Sequence, residues 1–147
     1  MGFSRHWLRD HGFVLTMVRG SINGRSLMEH VRALNQESHG ISGLKELVDC
    51  RELIDVSALS VCGVTDASMS ETKKPGSRLV FLLPKHSPVL YGIARAYQMF
   101  AMERRDAVMI STDFVEAVQW LGLDEKSLHT IQEVARHESC MPESIVG

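Results

Sequence analysis

The sequence predicts an α/β protein: a mixed sheet of about five strands, an N-terminal hairpin plus parallel strands, with helices packed mainly on one side. Three observations carry that class. Residues 79–83, LVFLL, form a continuous apolar run ended by Pro84, the pattern of a short strand buried on both faces. After it, apolar residues recur at positions 90, 93, 94, 97, 100 and 101, the spacing of one helical face, so strand, short loop and helix make half of a βαβ unit. The same alternation of apolar run and helical stripe repeats along the chain behind an N-terminal hairpin signal.

Taken in order, strand formers lie on both sides of Asp10-His11-Gly12, which predicts a hairpin whose second strand ends at Gly20. Leu27, Met28, Val31 and Leu34 recur at helical spacing with Asn23 placed to cap them. Residues 37–43 are a polar loop, and residues 44–49, LKELVD, read as the next strand. Residues 56–69 are small or β-branched and include Gly63, so a helix there relies on packing rather than on intrinsic preference. Lys73-Lys74-Pro75-Gly76 breaks the chain before the 79–83 strand, and Ser87 with Pro88 opens the helix that follows it. Residues 107–110 form a last strand. Asp113 and Glu116 then have the spacing of a capping box, and Gly122 stops that helix. These elements fill a domain over residues 1–123. Residues 124–147 read as a C-terminal extension: Asp124 caps a further helix bearing Leu128, Ile131 and Val134, and a tail follows.

The totals exclude several classes. A chain of 147 residues is one domain's worth, and 44% hydrophobic with 23% charged residues fits a globular protein. No apolar run approaches the ~20 residues that span a bilayer, and the first residues lack the apolar core of a signal peptide, so a cytoplasmic protein is expected. The net charge of −2 and the scattered basic residues argue against nucleic-acid binding. The three cysteines form no CxxC, and the seven histidines never fall at HxxH or HxxxH spacing, so no metal site is expected. No GxSxG elbow or local catalytic cysteine signature is present, and no acid, base and nucleophile set can be assembled from adjacent motifs; the expectation is a protein that is not an enzyme.

Four stretches together resemble the SpoIIAA-like, or STAS, superfamily of small bacterial proteins, sometimes described as STAS/Sec14-like. They are Gly20-Ser21-Ile22-Asn23-Gly24, Leu47-Val48-Asp49-Cys50-Arg51, Tyr91-Gly92-Ile93-Ala94-Arg95 and Glu116-Ala117-Val118-Gln119-Trp120-Leu121, within residues 3–123. The resemblance implies a mixed sheet with helices on one side, no cofactor and no catalytic machinery. In the anti-sigma-factor antagonists of that superfamily a kinase phosphorylates a serine that directly follows an aspartate at the start of the second helix. Here Val56 follows Asp55, so Ser57, the candidate phospho-acceptor with Asp49 and Asp55 as its acidic neighbours, stands one place beyond the expected acceptor. The bland role for Ser57 is to cap the helix over residues 56–69.

Parallel strands deliver their carboxyl ends to one edge, where ligands of α/β proteins bind. That edge places Arg51, Lys85, His86 and Ser87 as candidate anion or ligand-binding residues, the last three just ahead of a helix N-terminus. Apolar residues outside the core stripe of the central helix, Met99 and Met102, together with Leu128 and Ile131, suggest a homodimer interface or a greasy groove. The expected function is that of a regulatory or protein-interaction module with an unidentified protein partner. The alternative is a carrier or sensor of a small lipophilic or acidic ligand held between sheet and helices.

Overall fold

Residues 2–140 are described here by a computed structural model. The chain opens with the hairpin that its sequence implies: β1 (Gly2–Leu8) pairs antiparallel with β2 (Phe13–Ser21) across a 3-10 turn at Arg9–His11. Gly12 ends that turn at φ 60°, a left-handed conformation that glycine adopts without a Cβ penalty. Strands β3 (Lys45–Asp55), β4 (Arg78–Leu82) and β5 (Ala107–Ser111) then join in parallel, and the sheet order is the chain order.

Helices α1 (Gly24–Glu37), α2 (Val61–Met69) and α3 (Pro88–Ala101) are the three crossovers. Because the strands advance in one direction and such crossovers share one hand, all three helices land on the same face of the sheet. Val31, Val64, Ala67, Ala94 and Ala101 pack there over Val18, Val48, Leu79 and Val108. Helix α4 (Phe114–Trp120) follows the last strand and is under no such constraint. With α5 (Glu125–Cys140) it covers the opposite face, where Ala117, Val118, Leu121 and Ile131 meet Phe13, Leu15, Leu47, Val80 and Leu82. The crossover helices are thus on one side as expected, and the second side is closed by two more. This is why β4 is apolar on both faces: Leu79 points one way, Val80 and Leu82 the other. Ile131 is fully buried, a contribution of about 2 kcal/mol that fastens α5 to the sheet. Residues 141–147, the tail expected from the sequence, lie outside the described residues.

The caps at Asn23, Asp113 and Asp124 form as predicted, each side chain accepting backbone N–H bonds of the next turn. Two boundaries differ from expectation. Strand β3 continues past Asp49 to Asp55, because the long β2 offers it a partner as far as Ser21. Helix α2 consequently starts at Val61, and its cap is Ser60, whose Oγ accepts the Gly63 N–H at 3.0 Å. Ser57 does not cap it. Gly63 sits where the first turns of α1 and α2 meet: a Cβ there would lie in ordinary contact with the Cα of Gly24 at 3.5 Å and more tightly, at 3.2 Å, against the Ser60 Oγ that caps the helix.

A buried ionic cluster joins this helical layer to the start of β3. Arg105, ahead of β5, donates from Nη2 to Glu46 Oε1 at 2.7 Å and from Nε to Glu71 Oε1 at 2.6 Å. Lys74 Nζ reaches Glu71 at 3.3 Å and Asn35 of α1 at 2.9 Å, and the Tyr97 hydroxyl of α3 donates to Glu71 Oε2. On the other side of Glu46, Thr16 of β2 donates at 3.0 Å and His30 of α1 stands 3.6 Å away. Arg5 Nη1 lies 3.2 Å from His30 Nδ1 and can only donate, which assigns the imidazole proton to Nε2, facing Glu46. Two carboxylates and two cations balance. Burial alone would raise the Glu46 carboxyl, but Arg105 and His30 outweigh it and hold it down to about 2.

Removing one member of this cluster strands the others without water. Arg105→Met is expected to cost about 3–5 kcal/mol in urea unfolding followed by circular dichroism, well beyond the ~1 kcal/mol of a surface substitution. Since the folded-state carboxyl of Glu46 is depressed from 4.5 to about 2, its stabilisation is complete above pH 4.5 and lost as the pH falls toward 2. Wild type should therefore lose about 3 kcal/mol more than Glu46→Gln between pH 5 and 2, and parallel curves would refute this coupling.

Candidate functional site

The overhang of β3 shapes an apolar crevice. Strand β4 ends with Leu82 opposite Asp49, whereas β3 runs on to Asp55 beside β2. Past the end of β4, on the face covered by α1, α2 and α3, this leaves a crevice. Val18, Val48, Cys50, Phe81 and Leu83 form its floor, Val64 of α2 with Ala94 and Tyr97 of α3 its walls, and Leu53, Val56, Leu59 and Leu90 its lip. Its void is about 60 Å³, or about 480 Å³ with the space of the open mouth included. The Tyr97 ring meets Phe81 edge-on, centroids 5.4 Å apart, while its hydroxyl is turned away to Glu71. Cys50 is therefore the main polar side chain in the floor, and burial, with Asp49 adding to it, pushes its thiol up to about 12. Such a surface offers a ligand dispersion contacts and exclusion of water, and its Cys50 thiol is held protonated.

The residues singled out from the sequence do not converge. Asp49 is buried on the opposite face, the α4 side, with both carboxylate oxygens committed to Arg51: Oδ1 accepts from the Arg51 backbone N–H at 3.1 Å and from Nε at 3.0 Å, Oδ2 from Nη2 at 2.8 Å. The Arg51 guanidinium lies over the Phe114 ring at 5.1 Å, and the hydrogen bonds to Asp49 raise its pKa against the effect of burial. Lys85, His86 and Ser87 belong to the loop before α3, which packs on the other face, so Arg51 is not part of one site with them. Lys85 and His86 are exposed, and His86 takes φ 60° in a sharp turn. Ser87 occupies the N-cap position of α3, but its side chain makes no capping bond; only its carbonyl accepts, from Tyr91 N–H at 2.9 Å. Ser57 is exposed in the loop after β3, its N–H bonded to Asp55 Oδ1 at 2.8 Å, which lowers the Asp55 carboxyl. Among the described residues, no three histidine, cysteine, aspartate or glutamate side chains gather as a metal site, and no helix is long and apolar enough to cross a membrane.

Sequence reasoning placed a ligand between sheet and helices but named none of the residues that line the crevice, and it missed the ionic cluster beneath it. Leu53, Val56 and Leu59 were a signal, apolar residues in a segment otherwise too polar for a core. Glu46, an acid inside the apolar strand LKELV, was another.

The class defined by this fold and site is a small α/β domain with an apolar crevice between sheet and helices. No protein-family model matches the chain, and no curated protein matches it. Among solved structures it is similar to an uncharacterized protein of the DUF3478 family with a SpoIIAA-like fold from Shewanella loihica PV-4. The two share 15% identity over 82% of this chain and 92% of the other, with a TM-score of 0.54. The chain has a SpoIIAA-like fold.

Thiol reactivity reports the crevice directly. Iodoacetamide followed by peptide mass spectrometry should label exposed Cys62 readily and leave Cys50 unmodified until the protein is unfolded. Equal labelling of the two in the folded protein would show that the crevice is open to solvent.

Proposed function

We propose that this protein is a binding module that acts without catalysis and takes a small apolar ligand in the crevice between the sheet and helices α2 and α3. The apolar lining carries this reading: the floor and walls present almost no group that could orient or transform a polar substrate. The void of about 60 Å³ is far below the roughly 300 Å³ of a typical small-molecule pocket, so a ligand of more than a few carbons lifts the lip at residues 53–59. The loop carrying Lys85 joins two lining residues, Leu83 and Leu90, and supports a ligand whose outer end is acidic. A second reading, contact with a protein partner in a regulatory role, is favoured by exposed apolar residues on the outer side of α2 and α3.

The test is titration with N-phenylnaphthylamine, an uncharged dye that fluoresces in apolar sites, followed by displacement with decanoate and with decanol. Saturable binding by wild type is expected, weakened at least about ten-fold by Leu90→Glu at the lip with the unfolding midpoint little changed. Decanoate should compete better than decanol, and Lys85→Gln should remove the difference. Absence of saturable dye binding, or binding indifferent to Leu90→Glu, would refute the crevice reading.

A further inference from the structure

Arg51 projects from β3 on the α4 side, beyond the point where β4 ends with Leu82 opposite Asp49. There, on the face of the sheet away from the crevice, it borders a second cavity of about 330 Å³ whose other lining residues are Phe114, Gln132, Ala135 and Arg136. Two guanidiniums, a carboxamide, a phenyl ring and a methyl group face this space, and no carboxylate lines it. It stands at the carboxyl end of the parallel strands, where α/β folds receive their ligands.

The Arg51 guanidinium is positioned in advance. Asp49, two residues earlier on the same face, has a side chain only 2% exposed, whereas that of Arg51 is 42% exposed. An ion pair with a buried member returns little net stability, so the lasting effect of Asp49 is to fix a guanidinium that would otherwise sample many rotamers. Asp49 takes Nε and one N–H of Nη2, and the Phe114 ring lies against the same guanidinium at 5.1 Å. Both N–H groups of Nη1 and the second of Nη2 are left over. They form the end-on fork whose spacing matches a carboxylate.

Helix α5 supplies the opposite wall. Gln132 and Arg136 are four residues apart and project from one row of that helix. Glu133, the acid between them, stands 3.5 Å from His129 on a separate, exposed row. Arg136 has no ion-pair partner among the described residues. Because Asp49 already neutralises Arg51, Arg136 leaves the cavity with one positive charge in excess, which suits a monoanion better than a phosphate dianion.

We propose that this cavity binds a small organic acid. Its carboxylate sits between the Arg51 fork and Arg136, with the Gln132 amide as a further donor, and its hydrocarbon body lies against Phe114 and Ala135. The site is separate from the crevice, on the other face of the sheet, and neither reading depends on the other.

The experiment is a titration of the isotope-labelled full chain with sodium benzoate to about 20 mM at constant ionic strength, read by two-dimensional amide NMR. Sodium phosphate and the neutral analogue benzyl alcohol are titrated in parallel. Benzoate is expected to shift the amides of Arg51, Phe114, Gln132, Ala135 and Arg136 saturably, and the other two to bind at least about ten-fold more weakly. Arg136→Gln, at an exposed position, should weaken benzoate at least about ten-fold with the unfolding midpoint unchanged. Arg51→Lys keeps a cation beside Asp49 but removes the fork, and should weaken it by a similar factor. Shifts that never saturate, an equal response to benzyl alcohol, or phosphate binding tighter than benzoate would overturn the proposal. So would affinity indifferent to either substitution, or shifts centred on crevice residues such as Leu53 and Leu90 instead.

Discussion

Arg105 is the side chain on which the layered arrangement turns. A guanidinium cannot shed its charge, so once it is buried it must be met by carboxylates, and it is met by Glu46 from the sheet and Glu71 from the loop just after α2. Those carboxylates in turn must be satisfied, and the groups that satisfy them come from β2, α1 and α3: Thr16, His30 and Tyr97. Lys74 supplies the second cation; burial lowers its pKa and Glu71 opposes that shift. Hydrophobic packing alone would let helices slide on the sheet by small steps. A charge cluster with defined donors and acceptors admits one alignment.

That alignment divides the helical face of the sheet along the strand direction. Glu46, Val48 and Cys50 alternate onto the same side of β3, so three successive positions run from the charged cluster to the floor of the crevice. Tyr97 makes the same transition within one residue, its ring against Phe81 and its hydroxyl in the cluster. With specificity of alignment supplied at one end, the other end is left to apolar side chains that need not close completely. The crevice exists because β3 overhangs β4 and the loop to α2 must return from that overhang.

How much was legible depended on the range of the interaction responsible. The hairpin, the interior strand at residues 79–83 and the caps at Asn23, Asp113 and Asp124 rest on neighbours a few residues apart, and they are where the sequence placed them. The end of β3 was not legible. CRELID is too charged to look like strand, and only the pairing offered by residues 19–21 of β2 keeps it extended. That one extension moved the start of α2 from residue 56 to Val61, passed the capping role from Ser57 to Ser60, and opened the crevice. The grouping of Arg51 with Lys85 and His86 failed for a related reason. Sharing the carboxyl edge of the sheet does not mean sharing a face, and alternation within β3 sends Arg51 to the Phe114 side.

The sequence by itself determined the class of fold, the interior apolar strands, the crossover order and most helix caps, because periodicity, turn residues and capping act within a few positions. Tertiary structure alone decided which buried charges meet, which side of the sheet each candidate residue faces, and that an apolar crevice lies beyond β4. Those outcomes depend on contacts such as Glu46 with Arg105, between residues far apart in the chain and ordered only once strands pair and helices settle. No local pattern encodes such a meeting; it follows from the register of the sheet and from the cost of leaving a charge buried alone.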